Sequence, residues 1–370
     1  MNTLAPNFGF EVDFLPVGEG ESSGDAICLR WGYDLSSPNK NNQFVCIIDG
    51  GYTANGDDIV NHLKRYYGTT TVDYIINTHP HRDHVGGLHT VIEKCQVDNL
   101  VIHQPWTHNN LKGYFNDGRV TNNSIRRHLE DLDAARALVD KATKKEVNVI
   151  EPSTRKPLFE NLHGVTAYVL GPTQEYYHQL LPDFKSTPTT NNDNDNHRLE
   201  STSRFVPAKM CPLTDEGNTA AENNSSVILA FKLPNDKIFL FTGDAGMPAL
   251  SQATVLASRS SINLARQICF FQVPHHGSIQ NLGPSVLNSI FGSSTDLHER
   301  PPIPAYISVS KTPAPLHPSK HVINALKGYN VNCYRTGGQT ITYHVGCVPT
   351  RIGWVNLESE PYSDFVEEVK

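Results

Sequence analysis

Nowhere in its 370 residues does the chain approach the roughly 18 consecutive apolar residues that a bilayer-spanning helix needs. The opening stretch, MNTLAPNFGFEVDFLP, also lacks a basic flank leading into an apolar run. Neither a membrane span nor a secretory leader is expected, and a soluble cytoplasmic protein is the resulting expectation. Cysteine is sparse and unpatterned: Cys28, Cys46, Cys95, Cys211, Cys269, Cys333 and Cys347 are odd in number and form no CxxC pair. That distribution argues against a disulfide framework and fits buried thiols in a reducing compartment. Positive charge is short as well, with 31 Lys and Arg against 38 Asp and Glu and a formal net charge of -7. A surface that coats nucleic acid broadly is disfavoured, although a local groove or bound divalent ions can still receive a polyanion. A GxxxxGK[ST] loop and a GxGxxG turn opening a helix are missing, and the letters GxSxG occur only at 20–24 within a turn, with no helix pattern after them to form a nucleophile elbow, which leaves serine-hydrolase, P-loop and dinucleotide chemistry without support. GEGESSG at 18–24 reads only as a turn.

What is present is a core and a regular alternation. Apolar residues make up 38% of the chain, enough to build a large domain. Residues 9–16 (GFEVDFLP), 26–32 (AICLRWG) and 44–51 (FVCIIDGG) alternate or cluster apolar side chains between glycine-rich turns, as buried strands do. Asp49 falls at the end of the third. Residues 57–67 (DDIVNHLKRYY) have an acidic start and helical spacing, 72–78 (VDYIINT) reads as a strand, and Gly87 to about Lys94 as a helix. A long helical pattern within 122–145 is carried by Leu129, Leu132, Ala135 and Leu138. SSVILAFKL and KIFLFTGDAG read as two strands joined by a Pro-Asn-Asp turn, followed by a helix and the strand CFFQVPHHGS. AYISVS, a helix at 318–327, VNCYRT and QTITYHV come last. STPTTNNDNDNHRLESTSR is polar and aperiodic, so a flexible polar insertion is expected at about 172–222 within a single domain spanning 1–370. The pattern implies an α/β protein with helices outside two groups of strands.

His79-Pro80-His81-Arg82-Asp83-His84 concentrates metal-capable side chains within six residues at the end of a strand. Imidazole and carboxylate are ordinary ligands of zinc and similar divalent ions. Val85-Gly86-Gly87 follows and permits a sharp chain reversal. Asp244, in FTGD, and the pair His275-His276, in PHHGS, end two further apolar runs. Successive strand residues point to opposite faces, so regular strand geometry brings one histidine of the pair to a metal and not both.

THPHRDHVGG resembles the HxHxDH signature of the metallo-β-lactamase superfamily. The resemblance implies an αβ/βα four-layer sandwich with two central mixed β-sheets, and a centre of one or two divalent ions, zinc or manganese. By position it assigns His79 and His81 to the first metal and Asp83 and His84 to the second. Asp244 becomes the carboxylate between them, where its oxygens offset repulsion between two dications. His276 is the implied last ligand, and His275 a substrate-facing or proton-transfer group. VGEGESSGDAICLRW, IIDGG, NNSSVILAF, FLFTGDAG, VPHHGS and ISVS with a later His-Pro are similar to the ComEC-type branch, from about residue 10 to about 345. That branch contains the hydrolase-like domain of bacterial DNA-uptake proteins and free-standing relatives.

Two departures from the family pattern matter. Many members of the branch carry an acid where this chain has His81. Conversely, Asn223-Asn224 stand where superfamily members place a third histidine, and an amide oxygen is a weaker zinc ligand than imidazole. Water, substrate or His317 is then required to complete the first site. Ser278 joins these as a supporting residue, and Asp49 is expected to orient a ligand without binding metal itself.

The expected activity is hydrolysis by metal-activated water, with Asp83, Asp244 and His275 as catalytic residues. A phosphodiester, DNA first among them, is the expected substrate, with no membrane partner. The competing expectations are a small-molecule ester, lactone or thioester hydrolase, and a degenerate metal-binding sensor or partner protein.

Overall fold

Alternation shapes the first strand. In the computed structural model, β1 (Phe8–Phe14) turns Phe8, Phe10, Val12 and Phe14 into the core between two sheets, while Glu11 and Asp13 take the other face. The structure describes residues 3–37, 41–107, 122–185, 205–210, 212–292, 300–313, 317–354 and 356–368.

The first sheet continues with β2 (Ala26–Tyr33), β3 (Gln43–Gly50), β4 (Thr71–Ile76), β5 (Gln96–Val101) and β6 (Asn148–Ile150). Its other edge is β15 (Ile341–Gly346), which pairs with β1. Neighbours run antiparallel from β15 to β3 and parallel from β3 to β6. The second sheet holds β7 (Phe159–Leu162), β8 (Val165–Gly171), β10 (Ile228–Lys232), β11 (Ile238–Phe241), β12 (Ile268–Gln272), β13 (Ile303–Ile307) and β14 (Val331–Arg335). Its order is β14-β13-β12-β11-β10-β8-β7, parallel from β14 to β11 and antiparallel beyond. A separate ribbon pairs β9 (Phe205–Pro207) with β16 (Phe365–Glu367).

Aromatic side chains fill the space between the sheets: ring centroids of Phe10 and Phe239 are 4.6 Å apart, and those of Trp31 and Phe231 5.8 Å. Helices cover both outer faces. Gly56–His62, Leu88–Lys94 and Asn122–Lys144 pack on the first sheet through residues such as Ile59, Val91 and Leu138. Met247–Arg259, Pro284–Phe291 and Lys320–Gly328 pack on the second through Leu250, Leu287 and Leu326. The expected four-layer αβ/βα sandwich with two mixed sheets is what forms. Parallel strands need long crossovers, so the strand–helix alternation of the sequence and the parallel halves of the sheets share one cause.

Some boundaries differ from expectation. The helix expected at 57–67 runs as Gly56–His62 and widens into a π-turn over Leu63–Tyr67. The β7–β8 hairpin goes unread in the sequence, although VTAYVLG is strand-like and His163-Gly164 supplies two positive-φ residues for the turn. Of the polar stretch at 172–222, residues 186–204 and 211 lie outside the described residues, while Gln174–Leu180 and Ala221–Asn224 are helical. The side chain of Leu129 also lies outside what is described. No helix of the described residues is long and apolar enough to cross a membrane.

The outward face of β1 holds two buried acids. Arg351 donates to both Asp13 oxygens at 2.7 Å and to Glu11 Oε2 at 2.9 Å. His62 Nε2 lies 2.9 Å from Asp13 Oδ2, to which Tyr67 also donates at 2.7 Å, and Arg30 Nε donates to Glu11 at 2.6 Å. Breaking a buried pair from one side strands the opposite charge, at a cost of about 3–5 kcal/mol. Arg351→Ala is therefore expected to lower the unfolding free energy by about that amount in urea denaturation. A loss below about 1 kcal/mol, the scale of a surface pair, would show that the two acids do not depend on Arg351.

Candidate metal centre

The parallel halves of both sheets end at one place. β3 carries Asp49 beside its last residue, β4 runs into His79, β11 into Asp244, and β12 into His275 and His276. Sites in α/β sheets commonly lie outside such carboxyl ends. The loops here touch backbone to backbone. A Cβ on Gly87 would lie 2.1 Å from Gly50 O, and one on Gly24 2.4 Å from Asp83 O, so side chains at either position would displace the ligand loop. Asp25 N donates to Asp83 O at 3.1 Å and Gly51 N to Asp25 O at 2.7 Å, which draws the 18–25 turn into the centre.

In three of the imidazoles the Nδ1 partner decides where the other lone pair points. His84 Nδ1 donates to Asp49 Oδ2 at 2.8 Å, and His276 Nδ1 to the Ser308 carbonyl at 2.8 Å. Thr78 Oγ1 gives its proton to Asp49 Oδ2 at 2.6 Å and so accepts from His79 Nδ1 at 3.0 Å. The Nε2 lone pairs therefore face two carboxylates. His84 Nε2 lies 3.3 Å from Asp244 Oδ2 and 3.6 Å from Asp83 Oδ2, His79 Nε2 3.7 Å from Asp244 Oδ2, and His276 Nε2 3.8 Å from Asp83 Oδ2. His81 Nδ1 is 3.0 Å from His79 Nε2, a spacing at which two nitrogens share a proton or a cation.

Three sets of buried donors can each hold an ion: His79, His84 and Asp244; Asp83, His84 and His276; and Asp25, Asp49 and His84. Imidazole nitrogen with carboxylate oxygen is a divalent-cation donor set. Among the described residues, His84 Nε2 and Asp244 Oδ1 are buried without a hydrogen-bond partner. Such orphaned groups are costly, and a cation between them removes the cost. The side chains thus fit a divalent ion.

Charge follows the same division. Burial resists ionisation of Asp244 and Asp83, but His84, His275 and His79 hold the first well below the carboxylate range, and His84, His276 and His81 lower the second. Burial likewise opposes charge on His84, yet Asp244, Asp83 and Asp49 push it well up. His79 is driven down by burial and by His84 and His81. Burial raises Asp25 to about 6.

Strand geometry does not govern the His-His pair, contrary to the expectation from alternation. β12 ends at Gln272, and His275 and His276 take φ values of 47° and 57° in a left-handed turn. Their rings diverge, one toward Asp244 and the other toward Asp83, with centroids 5.5 Å apart. His317 lies beside both, 6.1 and 6.4 Å from their rings, and burial with these two neighbours lowers it to about 3. Ser278 is buried next to them, its N–H donating to His275 O at 2.9 Å. The Asn223 amide lies 2.8 Å from Thr219 Oγ1 and 3.4 Å from His275 Nδ1, and Asn224 donates to Thr219 O at 3.4 Å.

Four participants escape the sequence reading. Gln272 donates to Asp25 Oδ2 at 2.7 Å while its Oε1 accepts from Thr242 N and Gly243 N at 2.9 and 3.1 Å. Ser226 Oγ accepts from Asp244 N at 3.1 Å and lies 3.4 Å from His79 Nδ1. Asn281 donates to Asp244 O at 2.8 Å. Asp25 alone leaves a signal, an acid between a glycine-rich turn and a strand. The remaining histidines include His62, His89 and His321, which bond to Asp13, Ala134 O and Glu367 O; His108, His197 and His298 lie outside the described residues.

The family model of the metallo-beta-lactamase superfamily matches residues 40–176, a span that includes the His79–His84 motif and stops short of Asp244. No curated protein matches the chain. Among solved structures, unliganded yeast PDE1 is 11% identical, with 90% of this chain and 98% of that one covered and a TM-score of 0.43. An archaeal metallo-beta-lactamase superfamily protein of Sulfolobus tokodaii is 12% identical over 78% of this chain and 88% of its own, with a TM-score of 0.28. Likenesses so distant bear on no activity. The superfamily is supported by the matched span and the fold, and its branch by neither.

Asp49→Asn tests how the centre is held. Asparagine tolerates the φ of 56° found at this position but removes the charge that fixes His84. Metal affinity of the folded variant is expected to fall about 10–100-fold, measured by competition with a chromogenic chelator. Wild-type affinity would mean that His84 is oriented without Asp49.

Proposed function

We propose that this metal-dependent hydrolase, metallo-β-lactamase-like in fold, cleaves phosphodiesters, with DNA or a smaller phosphodiester as substrate. One observation carries the proposal. Two donor sets lie side by side, His79, His84 and Asp244 in one and Asp83, His84 and His276 in the other, with Asp244 Oδ2 3.7 Å from His79 Nε2 and 3.3 Å from His84 Nε2. That layout suits two ions, and paired ions favour in-line displacement at phosphorus, where attacking and leaving oxygens both need charge compensation. His79, His81 and Asp244 would hold one ion; Asp83, His84, His276 and Asp244 would hold the other. Zinc and manganese both suit these donors. When bound, the ions supply Lewis acidity and make water a nucleophile near neutral pH.

The chain's own groups position and deprotonate. Asp83 or Asp244, both held ionised, would accept the one proton released by the attacking water. Asp49 and the Ser308 carbonyl keep His84 and His276 in one tautomer. Asn223, Asn224, Ser278 and His317 are assigned to substrate contact or support. Similarity to the ComEC-type motifs supports DNA as substrate. The net charge of -7 favours instead a small phosphodiester, or an ester, lactone or thioester. The described cysteines are all free, in keeping with a cytoplasmic location as part of the same proposal.

A turnover screen tests the proposal with bis(p-nitrophenyl) phosphate, single-stranded and duplex DNA, a lactone and a thioester, each with added Zn²⁺ or Mn²⁺. Phosphodiester hydrolysis is expected, abolished by chelation and reduced about 10³-fold or more in Asp83→Ala, because loss of a ligand forfeits several kcal/mol of transition-state stabilisation. Turnover confined to the lactone or thioester would change the substrate class. Metal binding without any turnover would indicate a sensor.

A further inference from the structure

On the His79–His81 side of the centre, Asn223 and Asn224 stand where a third imidazole is expected. We propose that His275 fills that place, so that both members of the His-His pair bind metal, one on each side of Asp244. The inference rests on the two-ion arrangement proposed above and adds a ligand that the superfamily pattern does not supply.

Position comes first. His275 Nε2 lies 3.8 Å from Asp244 Oδ2, the oxygen that His79 Nε2 approaches at 3.7 Å, whereas His276 Nε2 lies 3.8 Å from Asp83 Oδ2. Each histidine of the pair thus joins a different carboxylate.

The tautomer follows from an amide that cannot be flipped. Asn281 Nδ2 is 2.8 Å from Asp244 O and 3.3 Å from Ala245 O, and carbonyls only accept. The Asn281 atom 3.1 Å from His275 Nδ1 is therefore oxygen, which requires an N–H on Nδ1 and leaves Nε2 as the nitrogen that can bind a metal. Asn223 Nδ2 is a more distant neighbour of the same nitrogen, at 3.4 Å; it bonds to a Thr219 hydroxyl that can either donate or accept, so this amide can turn to present oxygen. With Nε2 deprotonated, its lone pair and the carboxylate oxygen it faces repel unless a metal cation lies between them. This is the same relation that His79 and His276 have to their carboxylates.

The backbone supplies the third argument. Two consecutive non-glycine residues at positive φ are strained, and such strain persists where surrounding structure over-determines it. Here the left-handed turn carries both rings inward, where an extended chain would send one of them away.

The test counts metal on the full-length protein, stripped with a chelator and titrated with Co²⁺, whose visible absorption reports its ligands. Wild type is expected to take two equivalents. His275→Ala should keep one at wild-type affinity, bind the other at least about tenfold more weakly, and change that ion's spectrum. Asn281→Ala keeps the ligand but frees its ring, and should weaken the same ion about tenfold, which decides the matter if His275→Ala does not fold. His275→Ala binding two equivalents with wild-type affinity and spectrum would overturn the proposal and leave His275 a proton-transfer role. A wild-type chain taking a single equivalent would overturn it too. Metal counts need no substrate, so failure of the phosphodiester screen with these counts intact would strike only the proposed activity.

Discussion

The centre depends on the carboxylate of Asp49. It is fully buried and accepts from Thr78 N at 2.7 Å, Thr78 Oγ1 at 2.6 Å, Asn77 Nδ2 at 3.1 Å and His84 Nδ1 at 2.8 Å. Burial raises its pKa, and these donors make the ionised form tolerable in the core. Through Thr78 the same charge reaches His79, because a hydroxyl committed to Asp49 can only accept from the imidazole. One acid at the end of β3 thereby sets two rings that approach Asp244.

Two amides extend this logic to the other sheet. Gln272 joins Asp25, just before β2 of the first sheet, to the Thr242 and Gly243 amides beyond β11 of the second, and Asn281 joins the Asp244 and Ala245 carbonyls that follow to His275. Each amide presents both a donor and an acceptor, so it can hold a carboxylate or carbonyl on one side and an N–H on the other. The two halves of the centre are in this way kept in register by neutral groups, which avoid the desolvation cost of further charges.

Legibility in the sequence tracks how local each signal is. His79 to His84 lie within six residues, and their chemistry is dense enough to be read without a fold. The sheets are readable for a similar reason, since runs such as FVCIIDGG and KIFLFTGDAG need only short windows. Gln272 and Asn281 have no such signature: an amide becomes significant through partners far away in the chain, and those partners appear only once the sheets are stacked. The His-His turn illustrates a different limit. Period-two alternation describes extended residues, which end at Gln272, and says nothing about the residues after it, where positive φ replaces extended geometry. At β7–β8, VTAYVLG carries a strand pattern, while its partner FENL is too short and polar to mark the hairpin.

The pairing of β1 with β15 orders events during synthesis. Gly9 meets Gly346 and Phe14 meets Ile341, and Arg351, the guanidinium that contacts both Glu11 and Asp13, follows shortly after. Translation delivers the first strand hundreds of residues before its neighbour. Through that interval one edge of the nascent sheet lacks its ladder partner, and two acids destined for burial await their shared cation. Contacts of such long sequence separation close slowly, and an open edge in the meantime is a template for the wrong strand. The sheet that supplies His79 and Asp49 is therefore closed only after β14 has completed the second sheet, by residues 341–351.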